Sequence, residues 1–277
     1  MNFKLTFRSL AIICTIYFIF GGLAGRLFIF PHSDIFYSII SLPTIIIAPF
    51  LLGLFILTLA GESLELYSNL GLLFEFWLCW ALGLAMLIIV VMITQFLNIF
   101  SVNLLFLIIG AASIYNIFKV DKHRSITIFK SKTTLINLAL IALFSLIPVC
   151  IASISKPYPL FGLGHDAPAY IWQPVIRAIK YDYYSLSAQT VDVMLSLLAC
   201  SIFHIEPASF LWFARFFLEA VFSIGVYLFI KEISKNETFA LLSAVIAPYL
   251  MVGTRGGSSF MLFFDAPSQH FKSSTIL

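Results

Sequence analysis

Charge is scarce in this chain: of 277 residues, 16 are Lys or Arg and 13 are Asp or Glu, 10% together. Soluble domains carry about 25% charged residues, so an ordinary water-soluble globule is excluded. Cysteine is scarce as well. Cys14, Cys79, Cys150 and Cys200 each lie inside an apolar stretch, with no close pair, His companion or metal-ligand spacing, so neither a disulfide scaffold nor a zinc site is expected. No repeat of fixed period appears; the one internal echo is Asp166-Ala167-Pro168 against Asp265-Ala266-Pro267. The net charge of +3 is not gathered on a soluble surface, and no nucleic-acid partner is expected. What is abundant is apolar: 61% hydrophobic residues, 30 Phe and a mean hydropathy of +1.04. This is the composition of an integral membrane protein.

A helix needs about 20 mostly apolar residues to cross the hydrocarbon core. Suitable runs extend over Leu10 to Phe30, Ile35 to Ala60, Leu70 to Phe96, Ile99 to Phe118, Leu135 to Ile154, Ser209 to Ile230 and, shorter, Phe239 to Val252. The expected fold is therefore all-α, a polytopic transmembrane helical bundle of about seven spans with an outer loop containing interfacial helices. The first run is expected to be a retained helix rather than a cleaved leader. Lys4 and Arg8 precede it, and Lys119, Lys122, Arg124, Lys130 and Lys132 follow the fourth run. Four crossings place both clusters in the cytoplasm, as the positive-inside rule asks. Val191 to Ile205, apolar but short and bearing Asp192 and His204, is expected to be interfacial or re-entrant, which keeps Lys231 and Lys235 inside. Asn236-Glu237-Thr238 then falls in a cytoplasmic turn. Glu62, Glu65 and Glu75 surround another such turn, where solvation of a helix end suffices to explain them. The expected organisation is 1–118 as transmembrane hairpins, 119–134 as a basic cytoplasmic loop, and 135–277 as a second module.

The fifth run delivers the chain to the outer face at Lys156-Pro157-Tyr158-Pro159-Leu160-Phe161-Gly162-Leu163-Gly164-His165-Asp166-Ala167-Pro168-Ala169-Tyr170. Its Pro and Gly residues make an irregular segment that holds Asp166 near the membrane surface. A carboxylate there can act as general base toward a soluble acceptor whose donor is anchored in the bilayer. The same aspartate, two residues ahead of Pro168, also fits a helix cap. Downstream, Ile171, Val175 and Ile179 recur at helical spacing against Gln173, Arg177 and Lys180, an amphipathic pattern that begins or kinks at Pro174. Tyr181, Tyr183 and Tyr184 follow, as an interfacial belt or a stacking surface for a sugar.

The Gly-His-Asp-Ala-Pro-Ala-Tyr stretch beyond a helix, followed by paired short-loop helices, resembles the polytopic GT-C glycosyltransferases. The likeness is to prokaryotic relatives of dolichyl-phosphate-mannose protein mannosyltransferases, over about Leu135 to His270. The resemblance implies an acidic catalytic residue in the first outer loop, matched by Asp166, and a second in a later loop, for which Asp265 is the candidate. His165 and Tyr170, beside Asp166, and Arg255 are the candidate substrate-binding residues. Its implied partners are a polyprenyl-phosphate sugar donor, a glycan, lipid or protein acceptor, and the lipid bilayer of the plasma membrane. No resident cofactor or metal is expected; His165, Asp166, Asp265 and His270 leave a divalent cation as the alternative. Two departures stand out: the helices before Phe118 are not part of the usual module, and family members continue through further helices beyond the position of Leu277. The resemblance thus implies an incomplete module, and with it an inactive fragment as one alternative.

Other polar residues admit two readings. Arg215 and Glu219, four apart on one helix, either contact a phosphate or satisfy each other. Arg255, in Thr254-Arg255-Gly256-Gly257, either grips a phosphate or anchors at the interface. The glycines lack the Lys-Ser/Thr ending of a P-loop. A transporter or permease component and a non-catalytic scaffold are the rival functions.

Overall fold

The computed structural model describes residues 4–27, 35–60, 72–120, 125–127, 132–155, 173–181, 190–203, 205 and 207–252. In chain order these form β1 (Lys4–Thr6), α1 (Phe7–Leu27), α2 (Ile35–Ser41), α3 (Thr44–Leu59), α4 (Leu72–Phe96), α5 (Val102–Lys119), β2 (Ser125–Thr127), α6 (Lys132–Ser155), α7 (Gln173–Tyr181), α8 (Thr190–Phe203), α9 (Pro207–Ser234) and α10 (Glu237–Val252). Among the described residues the architecture is helical apart from the short antiparallel pair β1 and β2. Ser38–Leu59, Glu75–Phe96 and Val102–Lys119 are long and apolar enough to cross a membrane. Helices also occupy the other four expected positions, as α1, α6, α9 and α10. The chain divides into two units, one of residues 1–128 with 174–210, the other of 129–173 with 211–277.

In the first unit α3 and α4 form the most extensive contact, and small residues explain it. A methyl group on Gly53 would overlap the backbone carbonyl of Cys79, and one on Gly83 would overlap that of Pro49. The spacings Pro49-x-x-x-Gly53 and Cys79-x-x-x-Gly83 therefore let two backbones touch, as small-x-x-x-small pairs do between membrane helices. Pro49 lies inside α3 and has no N–H to offer the Ile45 carbonyl one turn earlier. The Trp80 indole of α4 donates to that carbonyl at 2.9 Å. The helix that carries the proline and the helix that repairs it are thus the closest-packed pair.

The neighbouring elements are fastened in the same manner. Tyr17 of α1 donates its hydroxyl to the Ile40 carbonyl at the interruption between α2 and α3, where Pro43 cannot continue the hydrogen-bond ladder. Asn116 of α5, fully buried, donates from Nδ2 to the Leu51 carbonyl at 2.8 Å and accepts from Thr58 Oγ1 at 3.1 Å. The α4 to α5 turn is a Schellman motif: Asn98 takes φ 55°, its N–H bonds Gln95 O and the Ile99 N–H bonds Thr94 O. Ser101 then caps α5 by accepting from the Leu104 N–H at 3.1 Å.

Two expectations are corrected. Every residue from Met194 to Phe203 is buried, among α1, α2, α3 and α4, so α8 does not lie on a surface. At 14 residues it is about 21 Å long, shorter than the hydrocarbon core. The re-entrant alternative is compatible with this packing; the interfacial one is not. Glu75, in the first turn of α4, is buried at 6% exposure, so solvation of a helix end does not account for it.

Apolar side chains also face outward in rows. Ile13, Ile16, Phe20 and Leu23 line one side of α1, and Leu107, Ile114 and Phe118 one side of α5. Such rows exceed what a soluble monomer exposes and suit contact with lipid chains.

Two substitutions separate the backbone contact from ordinary helix propensity. Gly53→Ala is expected to destabilise the protein by several kcal/mol through overpacking, whereas Gly110→Ala, where a methyl would meet nothing within 4 Å, is neutral or stabilising by about 1 kcal/mol. Trp80→Phe is expected to cost about 1–3 kcal/mol by orphaning the Ile45 carbonyl, and distinctly less in a Pro49→Ala background that restores the helical donor. Unfolding in detergent micelles measures both.

Candidate functional site

The expected site residues His165, Asp166, Tyr170, Arg255 and Asp265 lie outside the described residues, as does His270. The structure describes what flanks them. α6 ends at Ser155, and α7 begins at Gln173 with Pro174 in its first turn, where a missing N–H costs nothing. Pro174, Val175 and Ala178 are buried, while Ile176, Arg177, Lys180 and Tyr181 are exposed. α7 is amphipathic, as the spacing predicts. Arg215 and Glu219 fall within α9, their side chains outside the described set.

Within the second unit a polar cluster joins three helices around one carboxylate oxygen. Glu237, in the first turn of α10, accepts at Oε1 from Tyr227 OH of α9 at 2.8 Å, Lys231 Nζ of α9 at 3.0 Å and Asn137 Nδ2 of α6 at 3.1 Å. Lys231 Nζ also donates to Tyr227 OH at 3.2 Å. A short turn sets the geometry. Lys235 takes φ 53° and its N–H closes on the Lys231 carbonyl at 3.0 Å, ending α9. Asn236 Oδ1 then accepts from the Phe239 N–H at 3.1 Å and starts α10. The Asn236-Glu237-Thr238 triplet is thus a helix cap. A glutamate in the first turn complements the helix dipole, and a lysine in the last turn of α9 does likewise.

The electrostatics follow from these contacts. The Tyr227 hydroxyl, then the Lys231 ammonium, hold the Glu237 carboxyl below the ordinary carboxylate range against a partial desolvation. Desolvation pulls the Lys231 ammonium down, but the bonds to Glu237 and Tyr227 outweigh it and its pKa ends above the ordinary lysine value. A carboxylate so held, with one oxygen already accepting three donors, is a poor proton acceptor. The cluster fastens α6, α9 and α10. Ser223, one turn before Tyr227, keeps a buried hydroxyl with no hydrogen-bond partner among the described residues.

Among the described residues no group of three or more His, Cys, Asp or Glu could hold a metal ion. None of the four cysteines is in a disulfide; Cys14, Cys79 and Cys200 are buried and Cys150 is exposed. No family model, curated protein or solved structure matches the chain.

In the sequence, Lys231 and Glu237 register only as a weak charge bias, and the cluster does not show. A cation closing one helix and an anion opening the next, across a two-residue turn, is the available signal. Asn137, one hundred positions from Glu237, carries none.

The signs of the two shifts fix a pH window. Glu237, with its pKa lowered, contributes stability present above the ordinary value of 4.5 and lost as pH falls through the lowered one. Lys231, with its pKa raised, contributes stability present below 10.5 and lost as pH rises through the raised one. Both side chains are more than a third exposed, so screening holds the pair to about 1 kcal/mol or less. Glu237→Gln is therefore expected to flatten the acid limb of the unfolding midpoint against pH while leaving the neutral-pH midpoint within a few degrees. Tyr227→Phe, at a fully buried position, is expected to cost more, about 1–3 kcal/mol.

Proposed function

We propose that this chain is a multi-span plasma-membrane protein that transfers a sugar from a polyprenyl-phosphate carrier to an acceptor at the outer face. The observation that carries the reading is the Gly164-His165-Asp166-Ala167-Pro168-Ala169-Tyr170 motif between the 24-residue α6 and the amphipathic α7. Such a placement suits a reaction at the membrane surface, because α7 offers a buried apolar side and an exposed Arg177, Lys180 and Tyr181. In the reaction Asp166 takes the proton of the acceptor hydroxyl, and the hydroxyl oxygen bonds to the anomeric carbon. The bond from that carbon to the phosphate oxygen breaks, and the carrier phosphate leaves with the electron pair. Arg255 balances its charge, His165 and Tyr170 contact the substrate, and Asp265 is the second acidic group. The acceptor is a glycan, lipid or protein, and the reaction as written needs no metal; a divalent cation held by His165, Asp166, Asp265 and His270 is the alternative.

One observation favours a second reading. The short helix α8, enclosed among α1, α2, α3 and α4, has the length and burial of the interrupted helices that line transporter sites.

In membranes supplied with a polyprenyl-phosphate sugar, the intact chain is expected to transfer sugar. Asp166→Asn is expected to lose about a hundredfold or more of that activity, the worth of a general base, while inserting normally. Equal transfer by the variant contradicts the assignment of Asp166. Solute flux in sealed vesicles without transfer by either protein supports the transporter reading, and neither flux nor transfer supports a scaffold or an inactive fragment.

A further inference from the structure

The register of the short sheet brings two basic stretches of the first unit together. Lys4 pairs with Thr127 and Thr6 with Ser125. Arg8 lies two residues past β1 on α1, and Lys119 closes α5 six residues before β2. α1 and α5 also pack on each other. By sequence, Lys122 and Arg124 belong to the stretch between α5 and β2, with Asp121 the one acidic residue there. Arg8 and Lys119 therefore share the end of the bundle where α1 begins and α5 stops.

That end is continuous with apolar outward rows. On α5, Phe118 at 73% exposure adjoins the exposed Lys119, and Ile114 lies one turn before it; on α1, Ile13 and Ile16 follow Arg8. An apolar stripe running into a cationic rim matches one occupant: an acyl chain ending in a negatively charged headgroup. We infer that the β1 and β2 corner, with Arg8 and Lys119, is a binding surface for anionic phospholipid headgroups. A free phosphate would use the charge but not the stripe. Glu62 and Glu65 of the α3 to α4 connection lie outside the described residues, and the buried Glu75 of α4 offers the surface no exposed charge.

The inference rests on the membrane reading, and one experiment separates the two. The full chain is reconstituted in phosphatidylcholine bilayers, and the association of spin-labelled phosphatidylglycerol and of spin-labelled phosphatidylcholine with it is compared. The expected result is a phosphatidylglycerol association constant several-fold above that of phosphatidylcholine, diminished by salt. Arg8→Gln and Lys119→Gln are each expected to reduce the preference by up to about fivefold, the worth of one cation at an anionic surface, with phosphatidylcholine association unchanged. The charge-conserving Arg8→Lys with Lys119→Arg retains it, which guards against a folding defect. Equal association of the two lipids with the unaltered chain, or an unchanged preference in the neutralised variants, overturns the inference while leaving the membrane reading intact. Loss of the preference in inorganic phosphate at matched ionic strength overturns it in favour of a soluble anion. Immobilisation of neither lipid overturns both readings.

Discussion

A bilayer offers no hydrogen bonds, so every backbone carbonyl at membrane depth must find its donor within the protein. Pro49 breaks that rule inside α3, and Trp80 of α4 mends it. The repair works only if α4 approaches closely, which Gly53 and Gly83 permit by leaving both helix surfaces bare at the crossing. Proline, tryptophan and two glycines act as one device, and α5 and α8 are built against the pair it creates.

The same constraint recurs wherever the ladder is interrupted. The carbonyl beside the Pro43 interruption is met by Tyr17, and buried Asn116 is placed between a backbone acceptor and Thr58. In the second unit the donors converge on a carboxylate: the buried Tyr227 and Asn137 would otherwise leave polar groups against apolar helices, and the part-exposed Lys231 adds its charge. Aromatic and amide side chains in this protein thus serve backbone and charge satisfaction as much as packing. That use is costly to mutate and confers no reactivity.

Helix positions are legible in the sequence because an apolar run of transmembrane length satisfies its backbone in lipid most simply as a helix. All seven expected runs are occupied by helices, with ends set by Asn98, Ser101, Lys235 and Asn236, which are short-range signals. Side-to-side placement is not legible. The burial of α8 depends on faces of α1, α2, α3 and α4 far away in the chain, Tyr17 of α1 meeting Phe203 of α8 with ring centroids 6.0 Å apart, and no local pattern reports it. Glu75 reads as solvated in the sequence for the same reason. Asp166 and its neighbours stand out from residue order alone and lie outside the described residues.

The proposed function turns on sidedness: it requires the 156–172 segment to be outside the cell and the β1 and β2 corner to be cytoplasmic. Impermeant maleimide labelling of intact cells tests it, using Asp166→Cys and Ser125→Cys in a background without the four native cysteines. The account predicts labelling at position 166 from outside and at position 125 only after permeabilisation. Labelling of both positions from the same side contradicts it.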